Sequence, residues 1–322
     1  MTEHSFKPTA NVQAMQARAT LYQQIRQFFA ARQVMEVETP ILSQAAVTDV
    51  HLASIMATRH VNAQQQTAYL QTSPEFAMKR LVASGSGSIY QICKVFRDDE
   101  HGRKHNSEFS MLEWYRPDFS LLQLMQELSD LLSLVFDQSI QPKILSYKQA
   151  FLHRLNVNPL SADLDILKHT AQRVGLHIDL GDDRLAWLDV LFSHFIEPSL
   201  GFDYPVYLTD FPSEMASLAK VKTDDEGFKV AARFELYING LELANAYDEL
   251  ADSREQANRF AADNLERAKR GLPVVPIDQH LLAALDHFPP CAGIALGLDR
   301  LLMVLLDSTR IDQVIGFPTA IA

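Results

Sequence analysis

The stretch FRDDEHGRKHNSEFSMLEWY, residues 96–115, limits the possible folds more than any other part of this chain. Before it lies SIYQICKVF, and it ends in SMLEWY; both read as strands with alternating or continuous apolar positions. A hairpin reverses direction in a few turn residues. This connection uses about a dozen, and fills them with acids, bases and a His–Asn pair. Arg97 stands at the end of an apolar strand, where a guanidinium projects from a rigid base. Such a group matches a phosphate or carboxylate with two parallel hydrogen bonds. Lys104 and His105 add cations, Asn106 suits a base edge, and Phe109 offers a stacking surface. A solvated, salt-bridged loop has the same composition.

Two further clusters carry polar groups on strand-like text. In FELYINGLELANAYDEL, Glu235, Glu242 and Glu249 recur every seven residues. Simple alternation does not place them on one face, and Gly240 permits a bend or bulge that would. Carboxylates gathered beside phosphates suit Mg²⁺, and one left over suits an ammonium. Each Glu taken alone also reads as an ordinary surface acid. In GIALGLDR, the small residues Gly293, Ala295 and Gly297 alternate and let a ligand lie against a strand. Arg300 follows as a helix begins, although Asp299–Arg300 equally fits a structural charge network.

The remaining text frames these clusters. Residues 10–33 have helical apolar spacing, and VMEVETPIL reads as an alternating strand stopped by Pro40. TSPEFAMKRLVASG has a helix start with Ser73 as N-cap and Pro74 in the first turn. Residues 119–138, 161–200 and 248–270 read as helical, and 204–239 as strands. Interspersed helices and strands predict one α+β (α/β) domain over residues 1–322, with a central antiparallel sheet flanked by helices. The net charge of −11 argues against a long polyanion as the main partner. Cys93 and Cys291 lack metal spacing and fit a reducing compartment. With no signal-peptide pattern and no long uncharged apolar run, the expectation is a cytoplasmic protein without a membrane partner.

Taken in order, VETPIL, FRDDE…HNSEF and GLDR resemble the three signature motifs of class II aminoacyl-tRNA synthetases. The finer text, TSPEFAMKRL, KHNSEFSMLEWY and NGLELANAYDEL, resembles the lysyl-tRNA synthetase family over about residues 10–320. The resemblance implies ATP and Mg²⁺ as cofactors, a homodimer built around the Pro40 segment, and adenylate formation. It implies that the charged hairpin is the ATP loop and that Arg97 and Arg300 are catalytic. Arg97 would hold the α-phosphate and the substrate carboxylate. Asp98, Asp99, His105 and Asn106 would contact ATP, Phe109 would stack on adenine, and Leu243, Gly297 and Arg300 would complete the nucleotide site. Glu235 and Glu242 would carry Mg²⁺. Glu75 would take the amine near the reacting carboxylate, Tyr115, Asn245 and Glu249 would recognise the distal ammonium, and Ser73, Pro74 and Ala295 would complete the substrate pocket.

Three departures refine the expectation. Asp99 stands where the family usually has Glu, and Ala295 stands where it usually has Gly. The family's OB-fold for the anticodon precedes its first motif, yet here that motif ends near residue 42, so no such domain is expected. The chain thus resembles paralogues in this family that attach (R)-β-lysine to elongation factor P, with tRNA not the expected acceptor. The alternatives are a truncated enzyme charging tRNA or a small molecule, and an inactive nucleotide or amino-acid sensor. The Ala295 methyl lines the expected amino-acid pocket, so Ala295→Gly should shift preference toward α-lysine by about 1–3 kcal/mol, read from kcat/KM ratios across lysine isomers.

Overall fold

The computed structural model describes residues 6–98 and 100–322. The chain opens with α1 (Val12–Ala31), whose Asn11 side chain accepts from the Ala14 N–H at 2.8 Å. Two short strands follow, β1 (Met35–Glu36) and β2 (Leu42–Ser43), then the hairpin β3 (Met56–Val61) and β4 (Gln64–Leu70). VMEVETPIL thus pairs less than its alternation suggests: only Met35–Glu36 joins the main sheet. Helix α2 (Glu75–Ala83) precedes the charged hairpin, β5 (Ile89–Phe96) and β6 (Glu108–Pro117). Pro74, not Ser73, caps α2; the Ser73 hydroxyl accepts from the Glu75 N–H at 3.0 Å.

Beyond α3 (Leu121–Phe136) and β7 (Lys143–Ser146) come α4 (Tyr147–Leu155), α5 (Leu164–Arg173) and α6 (Arg184–Leu191). The sheet resumes with β8 (Val206–Pro212), β9 (Val221–Thr223), β10 (Lys229–Ile238) and β11 (Leu241–Asp248). Helices α7 (Ser253–Lys269) and α8 (Gln279–Leu285) lead to β12 (Cys291–Gly297) and α9 (Leu298–Leu305).

Among the described residues these strands form a nine-stranded sheet in the order β1-β5-β6-β12-β11-β10-β8-β7, with β9 beside β10. Pairing is antiparallel through the centre; β1–β5 and β7–β8 are parallel. Strands β2, β4 and β3 form a separate small sheet. The large sheet divides its residues by alternation. Leu112, Trp114, Ile294, Leu296, Phe234 and Leu236 turn toward α1, α3 and α9 and form the largest apolar cluster. The intervening residues face the opposite side, where polar side chains accumulate.

One buried charge ties α1 and α9 to this sheet. Asp299 accepts the Ser110 N–H at 2.6 Å and pairs with Arg18, which also donates to the Val314 carbonyl at 2.7 Å. Asp299 is 1 % exposed, so its charge depends on those partners. Asp299→Leu leaves the Arg18 charge and the Ser110 N–H without their acceptor; urea unfolding should show a loss of about 3 kcal/mol.

Candidate active site

Cross-strand neighbours share a face, so the pairing register reads out a polar row directly. Gln91 on β5 pairs with Glu113 on β6, Glu113 with Ala295 on β12, Ala295 with Asn245 on β11, and Asn245 with Glu235 on β10. The next row is Ile89, Tyr115, Gly293, Tyr247 and Arg233. Glu242 reaches the same face by a register shift. Leu236 pairs with Ala244 but Tyr237 pairs with Glu242, so Leu243 is the extra residue of a bulge. Gly240 is not part of that bulge. With Asn239 it makes the two-residue turn between β10 and β11, at φ of 67° and 53°, the left-handed backbone such hairpins use.

A cavity of about 1050 Å³ opens over this face. Its walls include Ser73, Pro74 and Glu75 from the start of α2, and Tyr115, Asn245, Glu249 and Ala295 from the sheet. The same cavity takes in Arg97, His105, Asn106, Phe109, Glu235, Glu242, Leu243, Gly297 and Arg300. Asp98 is exposed and lies outside the lining, its N–H donating to the Ala53 carbonyl at 2.8 Å. Asp99 falls outside the described residues.

The end beneath α2 is rich in acid. Lys79, 1 % exposed, pairs with Glu75 at 2.7 Å and with Glu249 at 2.6 Å. Glu113 receives the Ser73 hydroxyl at 2.7 Å on one oxygen and the Tyr115 hydroxyl at 2.7 Å on the other. Burial first, and then the Glu75 charge, push the Glu113 carboxyl up to about 7. Burial likewise pushes Glu249 up to about 8, against the pull of Lys79. Glu75 and Glu249 thus share one buried cation, and the Glu113 carboxyl is close enough to feel its charge. Sequence reasoning missed Glu113 and Lys79. Glu113 carried a signal, a charge between Met111 and Tyr115 on one face of a strand; Lys79 read as an ordinary helix-surface lysine.

The other end is cationic. The Arg97 guanidinium lies 5.1 Å from the Phe109 ring centroid, contacts Glu100 at 3.4 Å, and keeps its Nε buried without a hydrogen-bond partner among the described residues. Arg300 donates to the Glu242 carbonyl at 2.8 Å and meets His105 Nε2 at 2.7 Å. Burial and then the Arg300 charge lower the His105 pKa, keeping the ring neutral and able to accept. Asn106 is occupied: it donates to the Glu108 carbonyl at 2.6 Å and accepts the Thr319 N–H at 3.0 Å. Glu235 is bound by Arg233 and by the Tyr237 hydroxyl at 2.5 Å, while the Glu242 side chain stays 35 % exposed beside Arg300.

Gly293 makes the acidic end possible. A Cβ there would fall inside contact distance of both the Glu249 carboxylate and the Tyr115 ring. At Gly297 the same atom would meet only the Leu243 carbonyl at 3.7 Å and Arg300 Cβ at 4.0 Å, ordinary contacts. Gly293→Ala should therefore cost about 1–3 kcal/mol by overpacking, and Gly297→Ala less than about 1 kcal/mol, compared by thermal unfolding.

Residues 6–321 match the class II tRNA synthetases for D, K and N. An elongation factor P–(R)-β-lysine ligase from Yersinia pestis (strain Pestoides F) is 48 % identical over 324 residues, 99 % of this chain and 98 % of the relative. The same figures hold for the ligase of that name from Yersinia pseudotuberculosis serotype O:1b (strain IP 31758). The chain belongs to the class II tRNA synthetase (D, K and N) family.

Proposed function

We propose that this chain is an ATP-dependent ligase that adenylates (R)-β-lysine and transfers it to the ε-amino group of a lysine on elongation factor P. One observation carries the reading: a single cavity joins Arg97 and Arg300 to an acidic end where Glu75, Glu113 and Glu249 gather beside the buried Lys79, which pairs with Glu75 and Glu249. With all four ionised, these groups carry an excess of two negative charges. A substrate bearing two ammonium groups supplies the missing two, and a desolvated ammonium needs such a partner. The full-length similarity to ligases bearing that name supports the same substrate and acceptor.

In this reading Glu75 takes the amine nearer the carboxylate, and Glu249 with Tyr115 and Asn245 takes the distal ammonium. Arg97 orients the substrate carboxylate against the α-phosphate of ATP. A carboxylate oxygen attacks that phosphorus, pyrophosphate leaves, and a mixed anhydride with AMP remains. Arg97 neutralises charge that grows on the phosphoryl oxygens during the attack. Phe109 and Arg300 hold the base between them, and the open strand face at Gly297 lets the nucleotide lie close. The deprotonated amine of the acceptor lysine then attacks the carbonyl carbon and AMP leaves with the bond electrons. Positioning in the cavity accounts for this second step without a dedicated base.

Glu242 and Glu235 fit Mg²⁺ by the chemistry of their donors, hard carboxylate oxygens beside the expected phosphates. No group of three or more His, Cys, Asp or Glu suited to a metal occurs among the described residues, so phosphate oxygens would complete the shell. When bound, the ion would offset charge on the triphosphate. Glu242 is free to turn toward it, whereas Glu235 would first loosen from Arg233 or Tyr237. Among the described residues no helix is long and apolar enough to cross a membrane. A cytoplasmic homodimer, built from one synthetase-like catalytic domain and acting on a protein instead of tRNA, completes the proposal.

Two measurements test it. With ATP and labelled (R)-β-lysine, label should move to elongation factor P and not to tRNA; transfer to tRNA alone would refute the acceptor. The raised Glu113 and Glu249 carboxyls give a linked pH dependence. The empty site holds protons that the ammonium-bound site releases, so affinity should rise between about pH 6 and about pH 8.5. Calorimetry in buffers of different ionisation enthalpy should show net proton release on binding; uptake would contradict the assignment. The same raised values make folding stability fall as pH climbs through that window.

A further inference from the structure

Lys79 is buried and charged, and no step of the proposed reaction uses it. It does not line the cavity, whereas both its partners do. Its ammonium engages Glu75 Oε1 from one side and Glu249 Oε2 from the other. Each glutamate therefore retains one oxygen, and Glu249 Oε1 is the oxygen that crowds Gly293 on the cavity floor. Glu75 belongs to helix α2 and Glu249 follows strand β11, two elements that the chain itself does not hold together. Lys79 is the cation that bridges them.

We infer that Lys79 is a positioning residue: by bridging Glu75 and Glu249 from behind the wall, it fixes the distance between two ammonium seats and so the positional isomer of diamino acid accepted. This rests on the function proposed above. Glu249 and Glu75 outweigh the burial that disfavours the Lys79 charge, so the ammonium stays protonated. Its length is suited to the gap: a four-carbon stem and a compact head contact two carboxylates without reaching the ligand. A guanidinium in its place would keep the charge but spread the two carboxylates around a wider planar fork. The bridge also lowers the repulsion between Glu75 and Glu249 before any substrate arrives, since unpaired buried charges of one sign repel.

The test uses full-length protein and amino-acid-dependent ATP–pyrophosphate exchange. Wild type must first show exchange with (R)-β-lysine; failure there refutes the proposed function, not this inference. Lys79→Met should raise the KM for (R)-β-lysine roughly 30-fold or more, with the KM for ATP held within about 3-fold. Lys79→Arg keeps the charge and should change the kcat/KM ratio of β-lysine to α-lysine by about 10-fold. Equal losses for ATP and amino acid in Lys79→Met would show a merely structural role and overturn the inference. So would a wild-type isomer ratio in Lys79→Arg, a result that remains decisive if Lys79→Met fails to fold.

Discussion

Cross-strand register is the constraint on which the rest depends. The pairing of β5, β6, β12, β11 and β10 puts one set of side chains against the helices and the other over a cavity. A slip of one residue in any of these pairs would exchange the sets, burying Glu113 among Trp114's neighbours and exposing apolar residues to the ligand. The core therefore protects the site's geometry: Trp114, Ile294, Ala246 and Phe234, all nearly inaccessible, fix the faces that Glu113, Ala295, Asn245 and Glu235 present. The Leu243 bulge is the planned exception, since it alone turns Glu242 onto the polar face.

Electrostatics divides the cavity into two chemically different ends. Cations at Arg97, Arg300 and Lys104 await anions, and acids at Glu75, Glu113 and Glu249 await cations. A molecule spanning both must carry ammonium groups at one end and phosphate at the other, which describes an aminoacyl adenylate. The raised carboxyls of Glu113 and Glu249 express the same imbalance from the protein's side: burial and crowding of like charge disfavour ionisation until a cation arrives.

Much of this was legible in the sequence because the informative residues stand on strongly patterned text. The charged hairpin, the stretch FELYINGLELANAYDEL and the glycine-containing final strand each located a wall of the cavity. What escaped depends on burial and register. Lys79 has the sequence setting of a solvated lysine, and only the packing of α2 against α8 and β6 turns it inward. Glu113 reads as one polar position in a strand, and of its two hydroxyl donors Ser73 comes from a distant part of the chain. Gly240 was expected to supply the bend for the three glutamates; the bulge at Leu243 does so instead, for lack of any local residue signature. Asn106, expected to read a base edge, donates to the Glu108 carbonyl and accepts the Thr319 N–H, the latter from a partner too distant in sequence to infer.

The most direct measurement is a crystal structure with a non-hydrolysable sulfamoyl analogue of the β-lysyl adenylate. The account predicts its ammonium groups within hydrogen-bond distance of Glu75 and Glu249, and its adenine between Phe109 and Arg300. An analogue bound on another surface, or reversed so that its base lies beneath α2, would contradict it.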